Sequence, residues 1–319
     1  MKFEVNKDVF SEAVSFAVKL LPQRTTLPIL SGVLITVEDD TVTISSFDYE
    51  VSAKTKVAAS VDTPGQVLVS GRLLSEIAQR LPEDSVTLSL SGTSVSVVSG
   101  SAKFTLATMP VEEYPNLPEV EGVSGSVSGE EFSQAVGQVA PAASRDDVTP
   151  VITGVLLDVS SSALVMMATD RYRVAAKELS WSGGSVAAEG LQALIPSRTL
   201  AEIGKTFAHT SHLTITLSVG GERELVAFSS DQRTVTTLLI KGSFPPVQKL
   251  FPETTPDYAV VSTQDLIEAT RRVALVLERE APLRYSFSAD GVALEALGSD
   301  QAQASEEING HLVGKECVV

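Results

Sequence analysis

Apolar and polar residues alternate along much of the chain, and the alternation gives way to a helical spacing at a few points. Residues 86–90 and 95–98 alternate on either side of the turn residues 91–93, which predicts a β-hairpin. A second helix is expected near residues 73–81. The first helix is predicted from a stripe of apolar residues that share one helical face: Phe10, Ala13, Val14, Ala17 and Leu21.

The same pattern returns 122 residues later in the chain. Phe10 aligns with Phe132, Gly32 with Gly154 and Asp48 with Asp170, and no gap is needed from residue 10 to residue 53. The helix that follows also recurs, although the offset grows to 126 there because loop lengths change. Self-similarity at a fixed offset is the signature of repeated structural units.

A third copy of the pattern begins near residue 257. Strands are predicted at 258–261, 283–287 and 292–296, and a helix starts at Thr263. About half of the pattern is present before Val319, so we expect an incomplete third repeat. The predicted fold class is α+β, with antiparallel sheets on one side and two helices per complete repeat on the other. The polar, turn-rich links place the domains at 1–121, 126–253 and 256–319.

Composition narrows the class of protein. The chain has 319 residues, of which 43% are hydrophobic, so several packed cores are expected. The net charge of −16, by itself, argues against nucleic acid as a partner. The single Cys317 excludes an intrachain disulfide framework and suits a reducing cytoplasm. No signal peptide and no apolar run long enough for a membrane span is evident.

Motifs for catalysis, metals and cofactors are missing. His209 and His212 lie in a polar loop without cysteines nearby, which is too few ligands for a metal site. The glycines are scattered singly, so no phosphate-binding loop is predicted, and no nucleophile elbow is found. A duplicated architecture without a catalytic cluster favours a scaffold or binding module with no cofactor, no metal and no catalytic residue.

Residues 168–175, Ala-Thr-Asp-Arg-Tyr-Arg-Val-Ala, follow an apolar run that predicts a buried strand. Asp170 at the strand end could cap a turn or face a ligand. One alternative is an enzyme of unknown type that uses Asp170 and Arg173, although no base partner is evident. Another is a non-catalytic structural or adhesion protein built from repeats, but the recurring helices argue against an all-β adhesin.

Several motifs together resemble the bacterial DNA polymerase III beta subunit family, the sliding clamps. They are Met1-Lys2-Phe3, Thr26-Leu27-Pro28-Ile29-Leu30, Tyr114-Pro115-Asn116-Leu117-Pro118, Ala168-Thr169-Asp170-Arg171-Tyr172-Arg173 and Phe244-Pro245, and they occur in order along the whole chain. The resemblance implies three similar domains per subunit and a head-to-tail ring of two subunits that encircles double-stranded DNA. It also implies a non-catalytic processivity factor in the cytoplasm, at the nucleoid. The partners implied are the DNA polymerase III alpha subunit, the clamp loader and other proteins with a clamp-binding motif.

The resemblance resolves the conflict with the acidic charge, because a sliding ring needs only a mildly positive lumen. The helices would line this lumen. Arg198 and Lys205 are seven residues apart, as are Arg272 and Arg279, so each pair is predicted to share a helical face. The predicted DNA-facing residues are Arg24, Arg72, Arg80, Arg198, Lys205, Arg272 and Arg279.

The family also implies an apolar pocket in which short linear peptides dock. Carried over position by position, its wall would be Ile152, Thr169, Arg171, Tyr172, Arg173, Val174, Pro245 and Leu250. Some family members have Gly and His where this chain has Arg171 and Tyr172. We therefore expect these two side chains to narrow or reshape the groove. In the family a C-terminal strand also contributes to this pocket, and the chain lacks that strand.

Overall fold

The computed structural model describes residues 1–21, 25–183, 190–218, 224–278, 281–297 and 302–319. Contacts divide the chain into two units, Met1–Pro245 and Pro246–Val319. The first unit holds two complete repeats, and the second unit holds the third.

The first repeat alternates strands with two α-helices, in the order that the hydrophobic pattern predicts. Its elements are β1 (Lys2–Asn6), α1 (Lys7–Lys19), β2 (Gly32–Glu38), β3 (Thr41–Phe47), β4 (Val51–Ala58), β5 (Ser60–Thr63), β6 (Gly65–Ser70), α2 (Gly71–Ala78), β7 (Ser85–Ser91), β8 (Ser94–Ser99) and β9 (Ala102–Met109).

The second repeat has the same succession of elements. They are β10 (Val123–Val127), α3 (Gly129–Val139), β11 (Gly154–Val159), β12 (Ala163–Thr169), β13 (Val174–Ser180), β14 (Leu191–Pro196), α4 (Ser197–Thr206), β15 (Leu213–Ser218), β16 (Leu225–Ser230) and β17 (Arg233–Leu238).

Strand order confirms the duplication. The first repeat has the orders β4-β3-β2-β6 and β9-β8-β7-β1, and the second has β13-β12-β11-β14 and β17-β16-β15-β10. Even a small feature is repeated, because Glu4 pairs with Ser60 and Ser126 bridges Ser182, each 122 residues further on. The two repeats are therefore one fold used twice.

The helices cover the sheets through the apolar stripes that the sequence predicts. Phe10, Ala13, Val14 and Ala17 of α1 are buried in the core of the first repeat, and Phe132, Ala135, Val136 and Val139 of α3 are buried in the core of the second. Helix α1 packs beside α2, and α3 beside α4. Both complete repeats thus place a pair of helices on their sheets.

The first helix of each repeat begins with a polar N-cap. The side chain of Asn6 accepts hydrogen bonds from the backbone N–H groups of Asp8 and Val9. Ser128 and Ser262 cap α3 and the corresponding helix of the third repeat in the same way. Such side chains satisfy N–H groups that have no partner inside the helix, so they fix where each helix starts.

The two repeats of the first unit join through their sheets. Strand β17 of the second repeat pairs antiparallel with β4 of the first, with Val235 opposite Ala53. Ala53 and Phe16, both from the first repeat, are buried in the core of the second. The sheet therefore runs without interruption from one repeat into the next.

The second unit repeats the beginning of the pattern. Its elements are a short 3₁₀ helix (Val247–Leu250), β18 (Tyr258–Val261), α5 (Thr263–Val273), a second 3₁₀ helix (Ala274–Val276), β19 (Leu283–Ser288), β20 (Gly291–Leu297), β21 (Gln303–Ile308), β22 (Gly310–Val313) and β23 (Cys317–Val318). Strands β19 and β20 form a hairpin at Asp290-Gly291, and Gly291 has a φ of 138°, which favours glycine. The core includes Ala269, Val273, Val292 and Leu294.

The first helix ends earlier than its apolar stripe predicts. Helix α1 ends at Lys19, so Leu21 lies beyond it and only packs against the core of the first repeat. Helix α5 ends at Val273, and the chain is already extended at Leu277. Arg279, which the spacing places on the same helical face as Arg272, lies outside the described residues.

Candidate functional site

The turn that contains Asp170 is duplicated in the first repeat. Asp170 Oδ1 accepts hydrogen bonds from the N–H groups of Tyr172 and Arg173, both at 3.0 Å. Asp48 Oδ1 accepts from Glu50 and Val51, two and three residues further on, at 2.9 and 2.7 Å. Of the two roles considered for Asp170, the structure shows the turn cap.

Asp170 also holds an arginine. Its Oδ2 lies 2.9 Å from Nε of Arg173, whose Nη2 donates to the carbonyl oxygen of Pro141 at 2.6 Å. Partial desolvation acts to raise the pKa of Asp170, but the N–H groups of Arg173 and Tyr172 and the Arg173 guanidinium outweigh it and lower that pKa. Asp170 is thus a fixed carboxylate that orders the turn and neutralises Arg173.

Arg171 is held by two hydrogen bonds in a conformation that few side-chain-bearing residues adopt. Its φ is 79°, and Tyr49 occupies the same position of the first-repeat turn with a φ of 76°. The Arg171 N–H donates to Thr169 Oγ1 at 3.2 Å, and Nη2 donates to Thr149 Oγ1 at 2.6 Å. This second bond ties the turn to the 3₁₀ helix Pro150–Ile152.

The segment around this 3₁₀ helix also approaches the end of the first unit. A Cβ atom on Gly242 would lie 2.6 Å from a methyl group of Val151, so the backbone at Gly242 passes close to the Val151 side chain. The structure therefore brings the 170–173 turn, residues 149–152 and residues near 242 into one neighbourhood. We call this neighbourhood the turn site; Thr149, Ile152, Thr169, Arg171, Tyr172, Arg173 and Val174 are its residues.

The predicted pocket residues lie in different environments. Ile152 and Thr169 are buried, Val174 and Pro245 are half-buried, and the two arginines are exposed. Tyr172 is 97% exposed. Leu250 belongs to the second unit, where it ends the 3₁₀ helix Val247–Leu250 and is 70% exposed.

The predicted DNA-facing cations of the first unit divide into paired and unpaired groups. Arg72 Nε lies 3.0 Å from Glu76, and Lys205 Nζ lies 2.7 Å from Glu202, each on the same helix as its partner. Arg198 on α4 and Arg80 just after α2 form no ion pair with any described residue. Unpaired guanidinium groups keep all their donors available for phosphate.

Arg272 in the second unit is paired with two carboxylates. Its Nε and Nη2 donate to the two oxygens of Glu306 at 3.0 and 2.6 Å, and Glu268 lies 3.6 Å away. The hydrogen bonds to Glu306 raise the pKa of Arg272, and the same bonds lower the pKa of Glu306. Arg24 and Arg279 lie outside the described residues.

The described ranges contain neither a membrane-spanning helix nor a metal-binding cluster. No helix there is long and apolar enough to cross a membrane. No group of three or more His, Cys, Asp or Glu side chains there is placed to hold a metal ion.

Tandem repeats with paired helices packed on antiparallel sheets define a clamp-type protein, and comparison with known families agrees. The models for the N-terminal, central and C-terminal domains of the DNA polymerase III beta subunit match residues 1–118, 126–246 and 248–319. Together these matches span nearly the whole chain. The chain therefore belongs to the DNA polymerase III beta subunit family. It is a DNA processivity clamp, and the family is non-catalytic.

Individual relatives support this assignment. The beta sliding clamp of Micrococcus luteus is 45% identical over 308 residues, which cover 97% of this chain and 98% of that protein. The beta sliding clamp of Streptomyces coelicolor is 43% identical over 317 residues, 99% of this chain and 84% of that protein. The fold is similar to that of the Bacillus subtilis DNA polymerase sliding clamp, whose crystal structure superposes with a TM-score of 0.89 at 24% identity, covering 100% of this chain and 86% of that one.

Sequence reasoning missed two groups that fix the turn site. Thr149 anchors Arg171, and the carbonyl of Pro141 anchors Arg173. The repeat offset gave no signal for Thr149, because its counterpart 122 residues earlier is the apolar Leu27. A backbone carbonyl leaves no signal in the sequence at all.

Proposed function

We propose that two copies of this chain close head to tail into a ring that encircles duplex DNA and slides along it without reading sequence. In this role the ring tethers the DNA polymerase III alpha subunit, the clamp loader and other clamp-binding proteins to DNA. The single observation that carries the proposal is the joint between β4 and β17, where one repeat extends the sheet of the next. Such a joint builds an arc from repeats, and a second joint between copies closes it.

The helices supply the surface for DNA. Arg80 follows helix α2 and Arg198 lies at the start of α4, and these helices pack in pairs on the sheets. Neither arginine forms an ion pair with a carboxylate among the described residues. Contacts to phosphate carry no sequence information and permit sliding. We propose that Arg24, Arg72, Arg80, Arg198, Lys205, Arg272 and Arg279 face the DNA, with the unpaired cations contributing most.

The pairing of β4 with β17 inside one chain also predicts which residues face each other where two copies join. Strand β9 corresponds to β17, because Phe104 pairs with Val97 as Val235 pairs with Phe228. The outer edge of β9 has no strand partner from Ala102 to Ala107 among the described residues. An unpaired edge is a ready template for another chain.

The matching edge is β21 of the third repeat. It corresponds to β4, because Ala304 pairs with Ala296 as Ala53 pairs with Ser46. In the internal joint Thr234 lies opposite Lys54. Translated to the joint between copies, Lys103 of one copy lies opposite Ser305 of the other.

The turn site supplies the docking surface for partners. We propose that a short peptide with an apolar end and a Gln inserts against Ile152, Thr169, Val174 and Pro245. Apolar anchors in a small groove carry most of the affinity in such contacts. The ordered turn, held by Asp170 and Thr149, presents this surface without a large ordering cost.

Retention on DNA tests the ring. The chain, loaded onto nicked circular duplex DNA by a clamp loader, should stay bound in high salt and dissociate after the circle is linearised. Equal release from circular and linear DNA would contradict topological binding.

Disulfide formation tests the register. In a Cys317→Ser background, Lys103→Cys with Ser305→Cys should give a cross-linked dimer, because opposite residues of paired strands lie within disulfide reach. The matched control is Lys103→Cys with Ala176→Cys, which places the second cysteine at the equivalent position of β13. Cross-linking of the control pair instead would show that β9 pairs with the second repeat of the other copy and not with the third, which would contradict the proposed ring.

A further inference from the structure

Arg171 is the one arginine of the turn whose charge no carboxylate compensates among the described residues. Arg173 is paired with Asp170, whereas the Arg171 guanidinium donates to the neutral hydroxyl of Thr149. One Nη2–H is used in that bond, so the other donors of the fork remain free. The turn site therefore carries a fixed, uncompensated positive charge despite the net charge of −16.

The position of this charge is set by the fold rather than by a flexible side chain alone. The backbone N–H of Arg171 is bonded to Thr169, and the guanidinium is bonded 22 residues away in sequence to Thr149. An arginine that is already held in place loses less side-chain entropy when it binds a ligand.

Apolar and aromatic side chains adjoin this charge and are unusually exposed. Tyr172 follows Arg171 and is 97% exposed, and Val148 precedes Thr149 and is 84% exposed. Asp146, two residues before Val148, accepts a hydrogen bond from the Val148 N–H. Exposed tyrosine and arginine together are the residue types that dominate peptide and protein contacts.

We infer that Arg171 is a specificity-determining residue of the turn site and selects peptides that carry an Asp or Glu beside their apolar anchor. This inference rests on the proposed peptide docking at the same site. The free donors of Arg171 match a carboxylate in fork geometry, and Tyr172 and Val148 flank the same peptide segment. A neutral or basic residue at that position of the peptide offers no negative charge to pair with Arg171.

The test compares two synthetic peptides by fluorescence anisotropy. Both carry the same apolar end and Gln, and they differ only in Glu or Gln at the flanking position. The wild-type chain should bind the Glu peptide about two- to fivefold more tightly, as expected for an exposed ion pair, and the preference should fade with added salt. Equal affinity for the two peptides would overturn the inference.

Arg171→Gly is the informative variant, because glycine accepts a φ of 79° and the turn is kept. It should bind both peptides with the affinity that the wild type has for the Gln peptide. Arg145→Ala is the matched control, since Arg145 is another exposed arginine without an ion pair among the described residues, and it should keep the full preference. An unchanged preference in Arg171→Gly would assign the selectivity to another residue and refute the inference.

A separate outcome would affect the proposed function. If neither peptide bound the wild-type chain and Val174→Asp changed nothing, the docking site itself would be wrong, and the inference would be refuted with it. Binding of both peptides with equal affinity, lost in Val174→Asp, would keep the docking site and refute only the role of Arg171.

Discussion

The guanidinium of Arg233 lies 2.7 Å from the carboxylate of Glu12, and this ion pair crosses the joint between the first two repeats. The same guanidinium stands 5.4 Å from the centre of the Phe16 ring. Phe16 in turn meets Phe207 of the second repeat edge-on, with ring centres 6.4 Å apart. A charged layer and an apolar layer therefore support the paired strands β4 and β17.

The two layers should contribute unequally to stability. Phe16→Ala should lower the free energy of unfolding of the chain by about 3 kcal/mol, because it leaves a cavity in a shared core. Arg233→Ala should cost about 1 kcal/mol, since Glu12 is largely exposed and the pair is screened by water. Urea denaturation followed by circular dichroism measures both. A larger loss for Arg233→Ala would mean that charge, not packing, holds the joint.

The Asp170 turn should depend on its carboxylate in two separable ways. Asp170→Asn keeps an oxygen that can accept from Tyr172 and Arg173 but loses the ion pair, whereas Asp170→Ala loses both. We expect Asp170→Ala to destabilise by about 1–2 kcal/mol and Asp170→Asn by less. Thermal unfolding of the two variants gives the comparison, and equal losses would argue against the turn-capping role.

Acid should remove the advantage of the wild type over Asp170→Asn. Because the pKa of Asp170 is lowered in the folded chain, its stabilisation is complete above the ordinary value of 3.8 and is lost as the pH falls through the lowered value. The difference in unfolding free energy should therefore shrink below pH 3.8. A difference that stays constant down to pH 2, roughly, would contradict this linkage.

Tyr114 should make the first repeat sensitive to alkali. Burial raises the pKa of its phenol to about 12, and Tyr114 Oη accepts from the Phe47 N–H at 2.7 Å and donates to Gly32 O at 3.2 Å. The folded chain holds this proton more tightly than the unfolded chain, so stability should fall as the pH rises from 10.0 to about 12.

Tyr114→Phe isolates this effect. The variant should cost about 1–3 kcal/mol at neutral pH, because the Phe47 N–H is left buried without its partner. It should also lose the part of the alkaline sensitivity that comes from Tyr114. Urea titrations at pH 8, 10 and 11, roughly, would show this, and parallel curves for variant and wild type would contradict it.

Unpaired cations should dominate the salt dependence of DNA binding. Arg80→Ala with Arg198→Ala should reduce the slope of log K against log salt by about 1–2. Binding then makes fewer phosphate contacts and therefore releases fewer counterions. The matched control is Arg72→Ala with Lys205→Ala, which removes the same charge from residues already paired with Glu76 and Glu202. Anisotropy with labelled duplex DNA measures the slopes, and equal slopes would show that the pairing does not matter.

Much of this architecture could be predicted from the sequence, because it depends on local and periodic signals. The shared offset of Phe10 with Phe132 and Asp48 with Asp170 predicted the duplicated repeat, and identical strand orders confirm it. The apolar stripe of the first helix predicted its buried face. The motifs carrying the family resemblance lie within these repeats, so the family too was accessible from the sequence.

Contacts between distant residues were decided only by the tertiary structure. Nothing in the sequence pairs Arg171 with Thr149, Arg233 with Glu12 or Arg272 with Glu306, because each contact depends on how sheets and loops pack. Those pairings determine which cations are neutralised and which remain free. Helix ends were likewise set by packing and caps, so the apolar spacing alone carried the first helix to Leu21, although it ends at Lys19. Periodicity records which face of an element is buried, whereas the partner on that face is fixed only when the chain has folded.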